Sequence, residues 1–282
     1  MIKNFAVVGA GTMGSGIALA AALVDIPVIL CDINRSVLDN ARESILKNLS
    51  YLLEKGKITI TQKTSFEKAI HFTSTVEECK ADLVVEAIVE RSDIKIVLFK
   101  QLADINKAGT ILASNTSSLS ISLLQKDIPN PGRIAGMHFF NPAHVMKLVE
   151  VVKGNLTNDE TADMLMEFCK KINKVPVLCK DAPGFIVNRV ARQYYLEAMQ
   201  LARAYNMPIE DIDAAMEAAG FKMGPFKLMD LIGMDVNLAV STSLYEAFNS
   251  APRFQPSPLQ IDKVKKGELG RKSGKGFYDY TK

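Results

Sequence analysis

The 282-residue sequence is short of the features that define several broad classes of protein. Its four cysteines, Cys31, Cys79, Cys169 and Cys179, form no C-x-x-C pair, and its three histidines are too few and scattered for a zinc site. No metal is expected, and the thiols read as reduced, which places the chain in the cytoplasm. A formal net charge of +3 with no block of lysine or arginine argues against a nucleic-acid partner, so any anion it binds is small. There is no internal repeat and no low-complexity tract. One apolar run, residues 5–24, has only Thr12 and Ser15 as polar side chains and resembles a membrane span or a signal peptide behind Lys3. Gly9, Gly11, Gly14 and Gly16 interrupt it where a bend is wanted, and the apolar pattern resumes at residues 28–31, as a buried sheet requires; no membrane partner is expected.

What is present suits a soluble globular protein with two cores: 48% hydrophobic and 23% charged residues over this length. Residues 5–8 read as a buried strand, followed by a glycine turn and a helix from about Thr12, then a second strand after Pro27. A long helix capped by Asn34 or Ser36 follows, with Leu38, Ile45, Leu49, Leu52 and Leu53 at helical spacing. "ADLVVEAIVE" supplies another strand, Ser92 or Asp93 can cap the next helix, and "TILASNTSS" is a strand that ends in hydroxyls. "LVEVV" and "VPVLC" are later strands around a helix that starts at Asn158. Beyond Pro183 the strand signal fades. Helices near 187–205, 208–219, 225–231 and 235–248 are marked by Pro208 and Pro225 at their starts and Gly220 and Gly233 near their ends. The fold class is therefore α/β: a Rossmann-like, doubly wound, mostly parallel sheet over residues 1–182, followed by an all-helical C-terminal domain over residues 183–282.

"GAGTMG" places Gly9, Gly11 and Gly14 in a G-x-G-x-x-G spacing, directly after a strand and opening a helix, with Thr12 and Met13 between the last two glycines. The first glycine permits the tight turn, the second lets backbone approach a pyrophosphate, and the third lets helix pack on strand. Such a triplet alone is weak evidence, because glycine-rich turns are common. Asp32 strengthens it: it ends the second strand, 18 residues after Gly14, where a carboxylate accepts both ribose hydroxyls and repels a 2′-phosphate. NAD is the expected cofactor, with Arg35 close enough to blur the distinction from NADP. Ligands of such sheets lie beyond the carboxyl ends of the strands, which makes Glu90, Asn115, Ser117, His138 and Asn141 candidates, although each is by default a turn or cap residue.

A histidine inside "GMHFFNPAH" is by default a satisfied core residue. Glu150, in "LVEVV", alters that reading, because a carboxylate among valines needs a partner and antiparallel pairing of the two segments about His144 sets His138 opposite Glu150. Beside a nicotinamide such a pair has a use. Oxidising an alcohol removes a hydride from carbon and a proton from oxygen; imidazole takes the proton and the carboxylate orients it. Ser117 could donate a hydrogen bond to the same oxygen, and Asn188 could reach it from the start of the second domain.

"GAGTMGSGIA", "AIVE", "SNTSSLS", "HFFNP", "LVEVV", "DAPGFIVNR" and "GRKSGKGFYDY" occur in the order and spacing of the 3-hydroxyacyl-CoA dehydrogenases, which the sequence resembles over nearly its whole length. The likeness is greatest to short bacterial members acting on 3-hydroxybutyryl-CoA. The resemblance implies reversible oxidation of (S)-3-hydroxyacyl-CoA to 3-oxoacyl-CoA with NAD, short-chain substrates such as (S)-3-hydroxybutyryl-CoA giving acetoacetyl-CoA. It gives His138 the acid/base role with Glu150 as partner, Ser117 and Asn188 the substrate oxygen, and Asp32, Glu90, Lys95, Asn115 and Asn141 the cofactor. It also implies an acyl-CoA thioester partner, with Lys47 and Lys55 near the coenzyme A phosphates, and a homodimer formed through the helical domain. The alternatives are a dehydrogenase of free 3-hydroxy acids, which relies on a lysine in the second domain, a crystallin-like sugar-acid dehydrogenase, and a non-enzymatic NAD-binding protein on the same scaffold.

Overall fold

A computed structural model describes residues 2–281. The chain divides into two compact units, residues 1–182 and 183–282. The first is built in the order β1 (Phe5–Val8), α1 (Thr12–Ala22), β2 (Val28–Cys31), α2 (Arg35–Glu54), α3 (Ile60–Lys68), β3 (Ile70–Thr73), β4 (Leu83–Glu86), α4 (Ser92–Ile105), β5 (Ile111–Ser114), α5 (Ile121–Gln125), β6 (Ile134–Phe139), β7 (Leu148–Lys153), α6 (Asp159–Lys171) and β8 (Val175–Lys180). Its eight-stranded sheet runs β3-β2-β1-β4-β5-β6-β7-β8. All neighbours are parallel except β6 and β7. The reversal of order at β1, with β2 on one side and β4 on the other, opens the crevice where such sheets bind ligands. The carboxyl ends of β1, β2, β4, β5 and β6 therefore share one edge.

Strands β1, β4 and β5 are buried along their whole lengths, as apolar runs covered on both faces should be. The apolar run of residues 5–24 resolves into β1, the glycine turn and the eleven-residue α1, whose residues from Gly14 onward are buried in the core. Among the described residues, no helix is long and apolar enough to cross a membrane. Helix α2 starts at the Asn34 cap, whose side chain accepts from Ser36 N–H, and it buries Leu38, Ala41, Ile45 and Leu49. Helix α4 departs from expectation. Arg91 holds its cap position with no side-chain cap, and Asp93 instead pairs with Arg91 at 2.5 Å. Segment 60–73, which carries α3 and β3, has no counterpart in the expected elements. The Thr59–Gln62 capping box signals α3, but the helix buries only Phe66.

The second unit is helical: α7 (Val187–Ala204), α8 (Ile209–Ala218), α9 (Pro225–Ile232), α10 (Met234–Ala247) and α11 (Pro258–Lys265). Pro225 is in the first turn of α9, whereas Pro208 sits one place before α8, at its cap. Tyr195, Met199, Ile212, Phe226, Met229 and Met234 form the core of this unit. Its C-terminal segment is tied down by two buried carboxylates. Asp230 accepts from Phe277 N–H, Tyr278 N–H and the Tyr280 hydroxyl, and Asp213 from the Tyr278 hydroxyl at 2.7 Å.

Candidate active site

Gly9 follows β1 with φ of 102°, and a Cβ there would lie 2.5 Å from the Ala87 carbonyl oxygen, so only glycine fits. A Cβ on Gly14 would lie 1.7 Å from the Gly9 oxygen; one on Gly11 would meet nothing within 4 Å. The turn is thus closed on the protein side and open at Gly11. Helix α1 begins there with no side-chain cap and no acidic residue in its first turn, so its N–H groups and dipole face outward without a competing carboxylate. Thr12 is exposed beside Gly11, and half-buried Met13 packs on the core. Asp32, at the end of β2, accepts from Ala10 N–H and Asn34 N–H, both at 2.9 Å. One carboxylate therefore braces the glycine turn from the side. An approachable turn, an uncapped helix start and a neighbouring acid fit the pyrophosphate and ribose of a dinucleotide.

Glu90, Lys95, Asn115 and Ser117 are read separately from the sequence, and the structure joins them. Lys95, only 1% exposed, reaches Glu86 at 2.5 Å and Glu90 at 3.2 Å. Its ammonium is thus engaged by carboxylates at the end of β4. Glu90 Oε1 in turn accepts from the Thr116 hydroxyl, Ser117 N–H and the Ser118 hydroxyl. Burial would raise the Glu90 pKa, but Lys95 and Thr116 outweigh it and hold the carboxyl below its ordinary value. Asn115 links two strands: its N–H donates to the Glu86 carbonyl, and its side-chain oxygen accepts from Phe139 N–H at 2.9 Å. Glu86, Ser114, Thr116 and Ser118 were not singled out from the sequence. The run of hydroxyls that begins at the last residue of β5 is the signal that could have found Ser114, Thr116 and Ser118.

The register between β6 and β7 places His138 opposite Glu150, and Nδ1 of His138 lies 2.7 Å from Glu150 Oε2. Glu150 is 1% exposed and His138 7%, with the Phe140 ring 4.5 Å from the imidazole. An ionised carboxylate only accepts, so the contact puts the proton on Nδ1 and makes Nε2 the nitrogen for acid/base work. The next turn carries exposed Asn141, joined to Pro142 by a cis peptide. Buried Lys174 holds this turn, donating to the carbonyls of Ala143 at 2.6 Å and Met146 at 2.8 Å.

A groove of about 390 Å³ runs from the glycine turn between α1, α2 and the 141–144 turn. Its α2 wall combines Val37, Ala41 and Ile45 with Asn40, Ser44 and Asn48, a polar stripe at i, i+4 and i+8 that the sequence reading missed, and His144 also lines it. Burial, then Lys174, pushes the His144 pKa down. Lys47 and Lys55 are exposed and do not line the groove; the Lys55 ammonium lies 5.6 Å from the centre of the Tyr51 ring. Asn188 is half-buried in the first turn of α7, in the second unit. Among the described residues no group of three or more metal-ligating side chains occurs.

The topology and glycine turn define the first unit as an NAD-binding domain of the dehydrogenase type. Comparison with known proteins sharpens this. The family model for the NAD binding domain of 3-hydroxyacyl-CoA dehydrogenase matches residues 4–182, and that for the C-terminal domain matches residues 184–280. The chain belongs to the 3-hydroxyacyl-CoA dehydrogenase family. It is 46% identical over 99% of its length to 3-hydroxyadipyl-CoA dehydrogenase of Escherichia coli, and spans 59% of the length of that relative. It is 44% identical to a probable 3-hydroxybutyryl-CoA dehydrogenase of Deinococcus radiodurans, covering 98% of this chain and 100% of the relative. The crystal structure of (S)-3-hydroxybutyryl-CoA dehydrogenase from Ralstonia eutropha matches with a TM-score of 0.95 at 37% identity, over 100% of both chains.

Proposed function

We propose that the protein catalyses the reversible NAD-dependent oxidation of short-chain (S)-3-hydroxyacyl-CoA, such as (S)-3-hydroxybutyryl-CoA, to the 3-oxoacyl-CoA. The observation that carries this reading is the buried His138–Glu150 contact at 2.7 Å, on the sheet edge that also bears the glycine turn. NAD, when bound, supplies the acceptor for the hydride leaving C3. His138 removes the hydroxyl proton at Nε2, while Glu150 holds the ring through Nδ1 and neutralises the imidazolium that forms. Such a carboxylate acts by orientation and charge and does not itself take the proton. Ser117 and Asn188 donate to the substrate oxygen, which gains negative character as the proton leaves. Gly11, Thr12 and Met13 present the start of α1 to the pyrophosphate, and Asp32 accepts from the ribose, where its charge disfavours a 2′-phosphate. Glu90, with Asn115 and Asn141, forms the nicotinamide side, and Lys95 acts there through Glu90. Lys47 and Lys55 meet the coenzyme A phosphates as solvated charges. The protein works in the cytoplasm as a homodimer formed through the helical unit.

The test is NADH consumption with acetoacetyl-CoA, set against free acetoacetate. Turnover of the thioester alone supports the reading; turnover of the free acid alone sinks it. His138→Gln should keep NADH affinity within about threefold and lose about a hundredfold or more in kcat, the usual contribution of a general base. Retained turnover removes His138 from its role. Glu150→Gln should slow catalysis and shift its pH profile, because the imidazolium loses its counter-charge.

A further inference from the structure

Thr116 carries a buried hydroxyl that the proposed chemistry does not use. It lies in the loop after β5, between Asn115 and Ser117, and is 1% exposed. Its hydroxyl donates to Glu90 Oε1 at 2.5 Å and accepts from the N–H groups of Leu119 at 2.8 Å and Ser118 at 3.2 Å. Ser117 sits inside the turn that these bonds close, and its own N–H donates to the same Glu90 oxygen at 3.1 Å. The far end of the loop is fixed separately. Asp181 accepts there from the Ser120 hydroxyl at 2.7 Å, Ile121 N–H at 3.1 Å and Ser122 N–H at 2.8 Å. Residues 117–119 are therefore the stretch whose conformation rests on Thr116 and Glu90.

The direction of these bonds is forced. Against its burial, Lys95 at 3.2 Å and the hydroxyl and N–H donors keep the Glu90 carboxyl below its ordinary pKa, so at neutral pH it is ionised and can only accept. The Thr116 proton must then point at Glu90, which leaves the lone pairs of the hydroxyl to the two N–H groups. A hydroxyl has one proton and two lone pairs, and all three are engaged. Serine at this position could make the same bonds; valine, of nearly the same shape, could make none. A hydrogen bond to an ionised acceptor is roughly twice as strong as a neutral one, so Thr116 is a stiff pin for the turn. Stiffness matters one residue away, because a donor to a developing oxyanion is effective only when held within about 0.5 Å of its working position.

We infer that Thr116 is the positioning residue for Ser117: it locks the turn of residues 117–119 onto Glu90 so that the Ser117 hydroxyl meets the substrate oxygen without reorganising. This rests on the dehydrogenase reading above and deepens it, since it makes the Glu90 carboxylate a support for the substrate side as well as for the cofactor. Thr116 itself takes no part in the proton or hydride transfer.

The experiment is a double-mutant cycle of Thr116→Val and Ser117→Ala, read by kcat with acetoacetyl-CoA at saturating NADH and by NADH affinity in fluorescence titration. Ser117→Ala should lower kcat about a hundredfold, the usual loss on removing one donor to a developing oxyanion. Thr116→Val should lower kcat about tenfold or more while changing NADH affinity less than about threefold, and Thr116→Ser should return kcat to within about threefold of wild type. In the double variant the valine should cost less than about twofold beyond Ser117→Ala alone, because the residue it acts through is gone. Losses that multiply in the double variant would make Thr116 a support independent of Ser117 and overturn the inference. So would a loss confined to NADH affinity, or a serine variant no better than the valine one. Where the valine variant does not fold, Thr116→Cys, of similar size but with only a weakly bonding thiol, carries the same cycle. Wild-type turnover of acetoacetyl-CoA with multiplying losses overturns this inference alone, and full turnover in Ser117→Ala overturns it together with the role of Ser117. NADH binding with no thioester turned over by the wild-type protein overturns the dehydrogenase reading itself.

Discussion

Replacing Lys95 with methionine tests whether the ion network of Lys95, Glu86 and Glu90 is a structural support. In the wild-type protein the Glu86 carboxylate, 0% exposed, accepts from Lys95 at 2.5 Å, the Ser114 hydroxyl at 2.7 Å and Ile88 N–H at 2.7 Å. Methionine fills most of the lysine volume but leaves Glu86 with two neutral donors and no counter-charge. Breaking a buried pair from one side costs about 3–5 kcal/mol. For a unit of this size each kcal/mol moves the melting temperature by about 2–4 °C, so a fall of roughly 6–20 °C is expected at neutral pH. The loss should itself depend on pH. Burial already raises the Glu86 pKa above its ordinary 4.5, against the opposing pull of Lys95 and the hydrogen bonds. A carboxyl whose folded pKa is raised contributes stability below its unfolded pKa and loses it as pH rises through the folded value. Without Lys95 that pKa rises further, so the variant should be nearest to wild type at about pH 5 and furthest from it at pH 8. Thermal unfolding followed by circular dichroism at both pH values measures this. A deficit that is independent of pH, or under about 2 °C throughout, would refute the network as described.

The glycines of the turn should separate in their effects. Gly11→Ala, whose Cβ meets nothing, should leave the melting temperature unchanged while weakening NADH binding at least tenfold, whereas Gly14→Ala, with its Cβ 1.7 Å from the Gly9 oxygen, should destabilise the unit by about 1–3 kcal/mol or more. Unaltered NADH affinity in Gly11→Ala, read by fluorescence titration, would move the pyrophosphate elsewhere. Lys174 is pushed down to about 8, first by burial and then by Lys147. The unfolded chain thus binds more protons than the folded one between about pH 8 and the ordinary lysine value, and this group adds stability as pH rises through that window. Urea unfolding at pH 7.5 and pH 10 should show a smaller gain with pH in Lys174→Met than in wild type; an identical gain would remove Lys174 as its source.

The parts of the site that were legible in the sequence are those set by local chemistry. The G-x-G-x-x-G spacing demands a turn only glycine can make, and the structure shows why: backbone atoms lie where two of the three Cβ atoms would be. The pairing of His138 with Glu150 was also within reach. A two-residue side-chain period and an Asn-Pro break fix which residues face each other once two strands run antiparallel. Segment 60–73 was missed because α3 buries a single large side chain, so hydrophobic period carries almost no signal there, and only its cap chemistry remains.

What the sequence determined by itself is the order of most strands and helices, the glycine turn and the pairing of His138 with Glu150, since each follows from residue type and short-range spacing. Only the tertiary structure decided that Lys95 is enclosed by Glu86 and Glu90, that α2 turns Asn40, Ser44 and Asn48 toward the groove in place of Lys47, and that Arg192 is buried against the Asn237 carbonyl and the Ser241 hydroxyl. These depend on how a helix is rotated against its neighbours. That rotation is set by the summed burial of apolar side chains such as Leu38, Ala41, Ile45 and Leu49, and the charged residue itself has no local pattern that records it.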